Sequence, residues 1–221
     1  MKKVTVIIVA AGEGKRFGFA KQFALLKGKP VLDWCLDKFE AHKRVEEIVL
    51  VLKDDSEKEK YLKRYGKIVA VARGGERRQD SVLSGFCQID PEKAAIVLVH
   101  DGVRSLVSED LIDRVIEATQ EKGAVVPVVP VKDTIKLVEG KEVSQTLDRE
   151  KLFKVQTPQG FFHHTLKTAL DKAHEDNFYG TDEASLVERT GERVCVVQGD
   201  PKNIKITTPD DLRIAEVLLG D

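Results

Sequence analysis

The sequence has almost no surplus charge. Its 36 Lys and Arg residues face 37 Asp and Glu residues, for a formal net charge of −1. A generic nucleic-acid binder would carry a basic excess, so that class is disfavoured. There is no apolar run of 18 residues, so no transmembrane helix is expected and no membrane partner. Cysteine is scarce: Cys35, Cys87 and Cys195 are odd in number and show no CxxC spacing. That argues against a disulfide framework or a zinc site and favours buried, reduced thiols in a cytoplasmic protein. No internal repeat, low-complexity segment or domain-splitting linker interrupts the 221 residues. The start "MKKVTVIIVAAGEGK" has too short an apolar part for a signal peptide and reads as a first strand.

What is present is a globular composition, 42% hydrophobic and 33% charged, which excludes disorder and suffices for one large α/β domain. Short β-branched runs at 4–10, 46–52, 68–72, 94–101 and 124–131 read as strands. The first and fourth are apolar at consecutive positions, as in a mostly parallel sheet covered on both faces. Helical spacing falls between them, in "VLDWCLDKFEAH", "DSVLSGFCQI" and "SEDLIDRVIEATQEKG", the last with a Ser108 cap and a Gly123 stop. A final helix opens with Thr208 as N-cap and Pro209 in its first turn. This alternation predicts a three-layer α/β sandwich. Residues 133–149 break the rhythm, alternating apolar and polar around "EGK". That is a hairpin signal with Gly140 at the turn. The pattern allows an edge hairpin on its own subunit or an arm lying on another.

Three segments could carry chemistry. The loop "AAGEGKRFG" after the first strand is neither a Walker A motif, because Phe17 stands where its second glycine is required, nor GxGxxG, because Gly18 comes one place late. It is still a glycine loop, with Arg16 in it and Lys21 just beyond. Its backbone N–H groups can hold a triphosphate, or it can be a tight βα turn with solvated bases. In "GGERRQDSV" the paired glycines allow close approach to a planar base, and Ser81 is a helix cap or a contact to a base edge. In "VLVHDGVR" Asp101 ends a buried strand at its carboxyl edge, where open α/β sheets bind ligands. A lone carboxylate there suits Mg²⁺ held largely by phosphate oxygens. Arg104 suits a phosphate or an acid. His100 reads as packing, and His163 and His164 as structural.

The ordered set "AAGEGKRFG…KQF", "GGERRQDSV", "VHDGVR", "PVKDTIK", "DREKLFKVQTPQGF", "TDEAS" and "NIKITTPDDL" covers roughly residues 3 to 218. It closely resembles the 2-C-methyl-D-erythritol 4-phosphate cytidylyltransferases of non-mevalonate isoprenoid biosynthesis. One departure is His100-Asp101-Gly102-Val103-Arg104-Ser105 where the family often has HDAARP, with the aspartate kept. A second metal carboxylate is not matched, since Asp200 is offset. The resemblance implies a Rossmann-like nucleotidyltransferase fold with a mostly parallel sheet and a protruding hairpin arm. It implies one domain over 1–221, with a dimerisation arm at about 133–153, and a homodimer with arm exchange. The implied reaction is attack of the substrate phosphate on the α-phosphorus of CTP, releasing pyrophosphate. Arg16 and Lys21 would be catalytic, and Thr134, Arg149 and Lys205 would position the methylerythritol phosphate. The nucleotide would meet Ala10, Ala11, Gly12, Gly14, Gly75, Ser81 and Asp101, with Asp101 on Mg²⁺ or another divalent cation.

A phosphate monoester has a second pKa near ~6, so its oxygen needs no general base at neutral pH. The alternatives are a ribitol-5-phosphate cytidylyltransferase and a non-catalytic nucleotide-binding protein of the same fold. The first usually lacks Lys136 after "DTI", the Asp148–Arg149 pair and "TDEAS". The second would be expected to have lost Arg16, Lys21 or Asp101.

Overall fold

The computed structural model describes residues 3–14, 17, 18 and 20–220. The chain opens with β1 (Val4–Ala10), followed by the two-residue strands β2 (Leu25–Leu26) and β3 (Lys29–Pro30). Next come α1 (Val31–Ala41), β4 (Glu47–Leu52), α2 (Lys58–Arg64), β5 (Ile68–Arg73), α3 (Arg78–Phe86) and β6 (Ile96–Asp101). The second half runs α4 (Glu109–Lys122), β7 (Ala124–Pro130), β8 (Lys136–Glu139), β9 (Glu142–Thr146), β10 (Phe153–Val155) and β11 (Gln159–Phe162). It ends with α5 (His163–Glu175), α6 (Glu183–Arg189), β12 (Cys195–Gln198) and α7 (Pro209–Leu218).

The main sheet has the order β10-β7-β11-β6-β1-β4-β5, with β12 also paired to β7. β6, β1, β4 and β5 are mutually parallel, as the consecutive apolar positions require. Val4, Val6, Ile8 and Ala10 of β1 pack with α1 and α4 on one face, while Ile7 packs with α3, α5 and α6 on the other. The strand period of two thus feeds two separate cores. A three-layer α/β fold results, matching the expectation. β10 and β11 are antiparallel additions that the sequence reading did not assign.

The caps fall where their chemistry puts them. Ser108 Oγ accepts the Leu111 amide at 3.3 Å. Thr208 and Asp211 form a capping box with Pro209 in the first turn. Ser81 is corrected: α3 starts at Arg78, and its capping box uses the Asp80 carboxylate on the Arg77 amide at 3.0 Å. The thiols are corrected too. Only Cys35 is buried, Cys195 is half-buried, Cys87 is exposed, and none is paired.

The hairpin is real. β8 and β9 form their own two-stranded antiparallel sheet, and Gly140 adopts φ +64° at its turn, where a side chain would be strained. Every residue of both strands is exposed. Leu137, Val138 and Val143 therefore present apolar surface, and Phe153 and Val155 of β10 are exposed as well.

Candidate active site

The carboxyl ends of the four parallel strands β6, β1, β4 and β5 open into a cavity of about 750 Å³. β1 supplies Ala10 and, beyond its end, Ala11, Gly12 and Gly14; β6 supplies Asp101 at its last position. Arg73 ends β5, and Gly74, Gly75 and Ser81 follow in the turn and the first part of α3. Lys21, in a short 3₁₀ turn at Lys21–Phe23, and Lys205 complete the basic side. Among the described lining residues, Lys21, Lys53, Arg73, Arg77, Arg78 and Lys205 outnumber Glu13, Glu76 and Asp101. Such a lining suits a polyanion of nucleotide size.

The glycine loop turns on itself: the Phe17 and Gly18 amides donate to the Gly14 carbonyl at 2.7 and 3.0 Å. The double glycine has a packing reason as well as a binding one. A Cβ on Gly74 would lie 2.2 Å from the Ala11 Cβ, and one on Gly75 would lie 2.3 Å from the Asp80 Cβ. Bare backbone is what lets the turn after β5 close against the loop after β1. Ser81, buried, locks that turn. Its hydroxyl accepts from the Gly75 amide at 3.2 Å and donates to the Arg77 carbonyl at 3.1 Å.

Asp101 is 5% exposed and surrounded by cations. Arg78 Nε lies 3.0 Å from Oδ1, Lys205 Nζ 2.7 Å from Oδ2, and Arg104 Nε 3.8 Å from Oδ2. Burial opposes ionisation, but Arg78, Lys205 and Arg104 outweigh it and hold the carboxyl well below the usual range. Asp101 is therefore a carboxylate, the form that ligates a hard cation. Arg78 also grips Glu183, at 2.7 and 2.8 Å to its two oxygens. Burial raises the Glu183 pKa and Arg78 opposes that rise; with both of its oxygens accepting from one guanidinium nitrogen, the group has the geometry of a carboxylate in an ion pair.

His100 behaves as a packing residue. Its ring lies against Phe39, Nδ1 contacts the Thr157 hydroxyl at 3.1 Å, and Nε2 contacts the Arg104 carbonyl at 3.2 Å. Burial pushes its pKa down to about 3, so it stays neutral. Asp182 caps α6, and Asp200 caps a loop through the Lys202 amide at 2.8 Å. One other group of potential ligands converges among the described residues: His42, Glu109 and Asp113. None of them lines the cavity, and Arg44 already pairs with Asp113 at 3.2 Å.

The structure thus brings Ala10, Ala11, Gly12, Gly14, Lys21, Gly75, Ser81, Asp101 and Lys205 around one cavity. Arg16 lies outside the described residues. Thr134 and Arg149 do not line the cavity. Both are exposed at the base of the hairpin, with Arg149 donating to the Lys132 carbonyl at 3.1 Å. Arg78 and Glu183 were missed as residues, although both stand inside quoted motifs. The available signal was Arg78 in "GGERRQDSV" and two acids in "TDEAS", segments quoted together but not placed against each other.

A mostly parallel sheet with a basic, glycine-lined cavity and one acid at its carboxyl edge is the frame of an α/β nucleotidyltransferase. The family model for 2-C-methyl-D-erythritol 4-phosphate cytidylyltransferase matches residues 4–221. The chain is 46% identical to the enzyme of that name from Bacillus velezensis, over 97% of this chain and 94% of that one. It is 45% identical to the one from Alkaliphilus metalliredigens, over 99% and 93%. Among solved structures it resembles 4-diphosphocytidyl-2C-methyl-D-erythritol synthase from Anaerococcus prevotii, with TM-score 0.88, 33% identity and coverage of 100% and 99%. A second is the Francisella tularensis cytidylyltransferase, with TM-score 0.85, 35% identity and coverage of 98% and 100%. The chain belongs to the 2-C-methyl-D-erythritol 4-phosphate cytidylyltransferase family and is an enzyme.

Proposed function

We propose that the cavity at the carboxyl ends of β6, β1, β4 and β5 binds CTP with Mg²⁺, and that two chains share each active site. The reaction is the family's: transfer of CMP from CTP to 2-C-methyl-D-erythritol 4-phosphate, giving 4-diphosphocytidyl-2-C-methyl-D-erythritol and pyrophosphate, in isoprenoid biosynthesis. The observation that carries the assignment of the site is the convergence of the glycine loop, the Gly75–Ser81 turn, Lys21, Asp101 and Lys205 on one cavity.

The cytosine lies on the turn of Gly75 and Ser81 and on the backbone of Ala10 and Ala11. The triphosphate follows Gly12 and Gly14 toward Lys21. Two anions must meet for phosphorus–oxygen bond formation, so cations aimed at the α-phosphate do most of the work. Lys21, with Arg16, has that role. Lys205 holds the phosphate of the second substrate, with Thr134 and Arg149 brought from the partner's arm. The substrate oxygen attacks as an anion, so no residue needs to remove a proton.

The donor set fits Mg²⁺. One ionised, buried carboxylate at the cavity leaves the remaining positions to phosphate oxygens and water, as this ion prefers. When bound, it would supply positive charge to the triphosphate, and Asp101 would hold it.

The chain acts as one nucleotidyltransferase domain over 1–221, with residues 133–153 as a dimerisation arm. The exposed apolar residues of the arm support this, since a lone two-stranded hairpin is marginal in water. A symmetric homodimer would cover them. The three unpaired thiols suit the cytoplasm. No described helix is long and apolar enough to cross a membrane.

Pyrophosphate release tests the substrate. We expect turnover with CTP and 2-C-methyl-D-erythritol 4-phosphate that stops in excess chelator. Equal or faster turnover with ribitol 5-phosphate would contradict the substrate, and turnover undiminished by chelator would contradict the metal.

A further inference from the structure

Glu183 stands away from the reaction's cations and phosphates, and the cavity lining does not include it. Yet it is 1% exposed, and an acid is rarely so deep unless paired. It is the first residue of α6, directly after the Asp182 cap. Its partner is Arg78, the first residue of α3, which does line the cavity. Nη1 of Arg78 donates to both Glu183 oxygens, while Nε of the same guanidinium donates to Asp101 at 3.0 Å. One arginine thus ties the starts of two helices to the end of β6.

The charges matter as much as the geometry. Asp101 already faces Lys205 at 2.7 Å and Arg104 at 3.8 Å. Without Glu183 it would face a third, uncompensated cation. A carboxylate so saturated with positive charge would hold a further cation poorly. Glu183 offsets the Arg78 charge, while the direction of the Arg78 Nε–H fixes the rotamer of Asp101.

We infer that Glu183 is a positioning residue of the metal–nucleotide site: through Arg78 it orients Asp101 and keeps it available to a divalent cation. This rests on the reading that Asp101 receives the metal. Arg78 is the wire, and Glu183 the buried counter-charge. The "TDEAS" segment thereby gains a role its own position does not reveal.

The test is calorimetric titration of Mn²⁺ with CTP into the full chain, without the second substrate, so that nothing turns over. Glu183→Gln keeps the volume and one acceptor but removes the charge. Its affinity for Mn²⁺–CTP should fall at least about tenfold, since a nearby unpaired charge is worth more than that at an effective dielectric near 20. The kinetic counterpart is a raised half-saturating Mg²⁺ concentration, with kcat at saturating Mg²⁺ little changed. Arg78→Met combined with Glu183→Gln removes both charges. Its affinity should return part of the way toward wild type: the charge at Asp101 is balanced again, although its rotamer is no longer held by Arg78, and a merely structural role would produce no recovery. If Glu183→Gln alone fails to fold, the double variant is read against wild type, and an affinity for Mn²⁺–CTP about tenfold or more below wild type would overturn the inference. Unchanged Mn²⁺–CTP affinity in a folded Glu183→Gln protein would overturn the inference alone. So would a double variant as weak as, or weaker than, the single one. No Mn²⁺–CTP binding by the wild-type chain, or binding equally tight in Asp101→Asn, would overturn the underlying site reading and this inference with it.

Discussion

Lys21→Ala is expected to lower kcat by about a hundredfold while changing the KM for CTP far less. Lys21 lines the cavity on the side of the glycine loop, in the 3₁₀ turn that follows it. In the proposed site a cation there would meet the triphosphate in the ground state too, but the charge it would be aimed at grows as the new phosphorus–oxygen bond forms. Interactions that strengthen on the way to the transition state appear in kcat. Losing one charge-assisted contact of this kind costs roughly 3 kcal/mol, which is on the order of a hundredfold in rate. Steady-state kinetics at saturating metal separates the cases. A tenfold worse KM with kcat unchanged would mean that Lys21 only binds nucleotide.

The second large effect concerns sharing between chains. Lys21→Ala and Arg149→Ala should each be nearly inactive alone, and a mixture should regain activity after subunit exchange. Lys21 lies in the cavity, whereas Arg149 sits at the exposed base of the hairpin, outside that lining. If the arm completes the partner's site, a mixed dimer has one site with both lesions and one with neither. The hairpin has no place in the main sheet of its own chain and leaves Leu137, Val138 and Val143 exposed, so a partner surface is its natural support. Mass spectrometry would confirm exchange. Exchange without recovered activity would mean that Arg149 serves its own subunit, leaving the arm as a clasp.

The legible parts of this molecule are those in which one residue's chemistry decides locally. The doubly covered strands β1 and β6 announced themselves by consecutive apolar residues, because both faces must be buried. The Ser108 and Thr208 caps and the Gly140 turn were equally local. β10 and β11 were not legible. Their stretch "FKVQTPQGFF" is interrupted by Pro158, which cannot donate to a ladder, and its pairing with β7 and β6 is long-range. β12 is four residues of an edge, too short for a period to emerge. Of the residues named from the ordered motifs, Lys21, Asp101 and Lys205 line the cavity. The motifs did not lead to the Arg78–Glu183 pair, because two residues 105 apart in sequence become partners only through the fold. Of the two readings of Ser81, a helix cap or a contact to a base edge, the cap is excluded because α3 begins three residues earlier, where the Asp80 side chain does the capping.

The most direct measurement is a crystal structure of the chain with CTP and Mn²⁺, with the metal located by its anomalous scattering. The account predicts cytosine against Gly75 and Ser81, the triphosphate running from Gly12 toward Lys21, and an Mn²⁺ peak in coordinating contact with Asp101. A nucleotide bound outside this cavity, or Mn²⁺ at His42, Glu109 and Asp113 with none at Asp101, would contradict it.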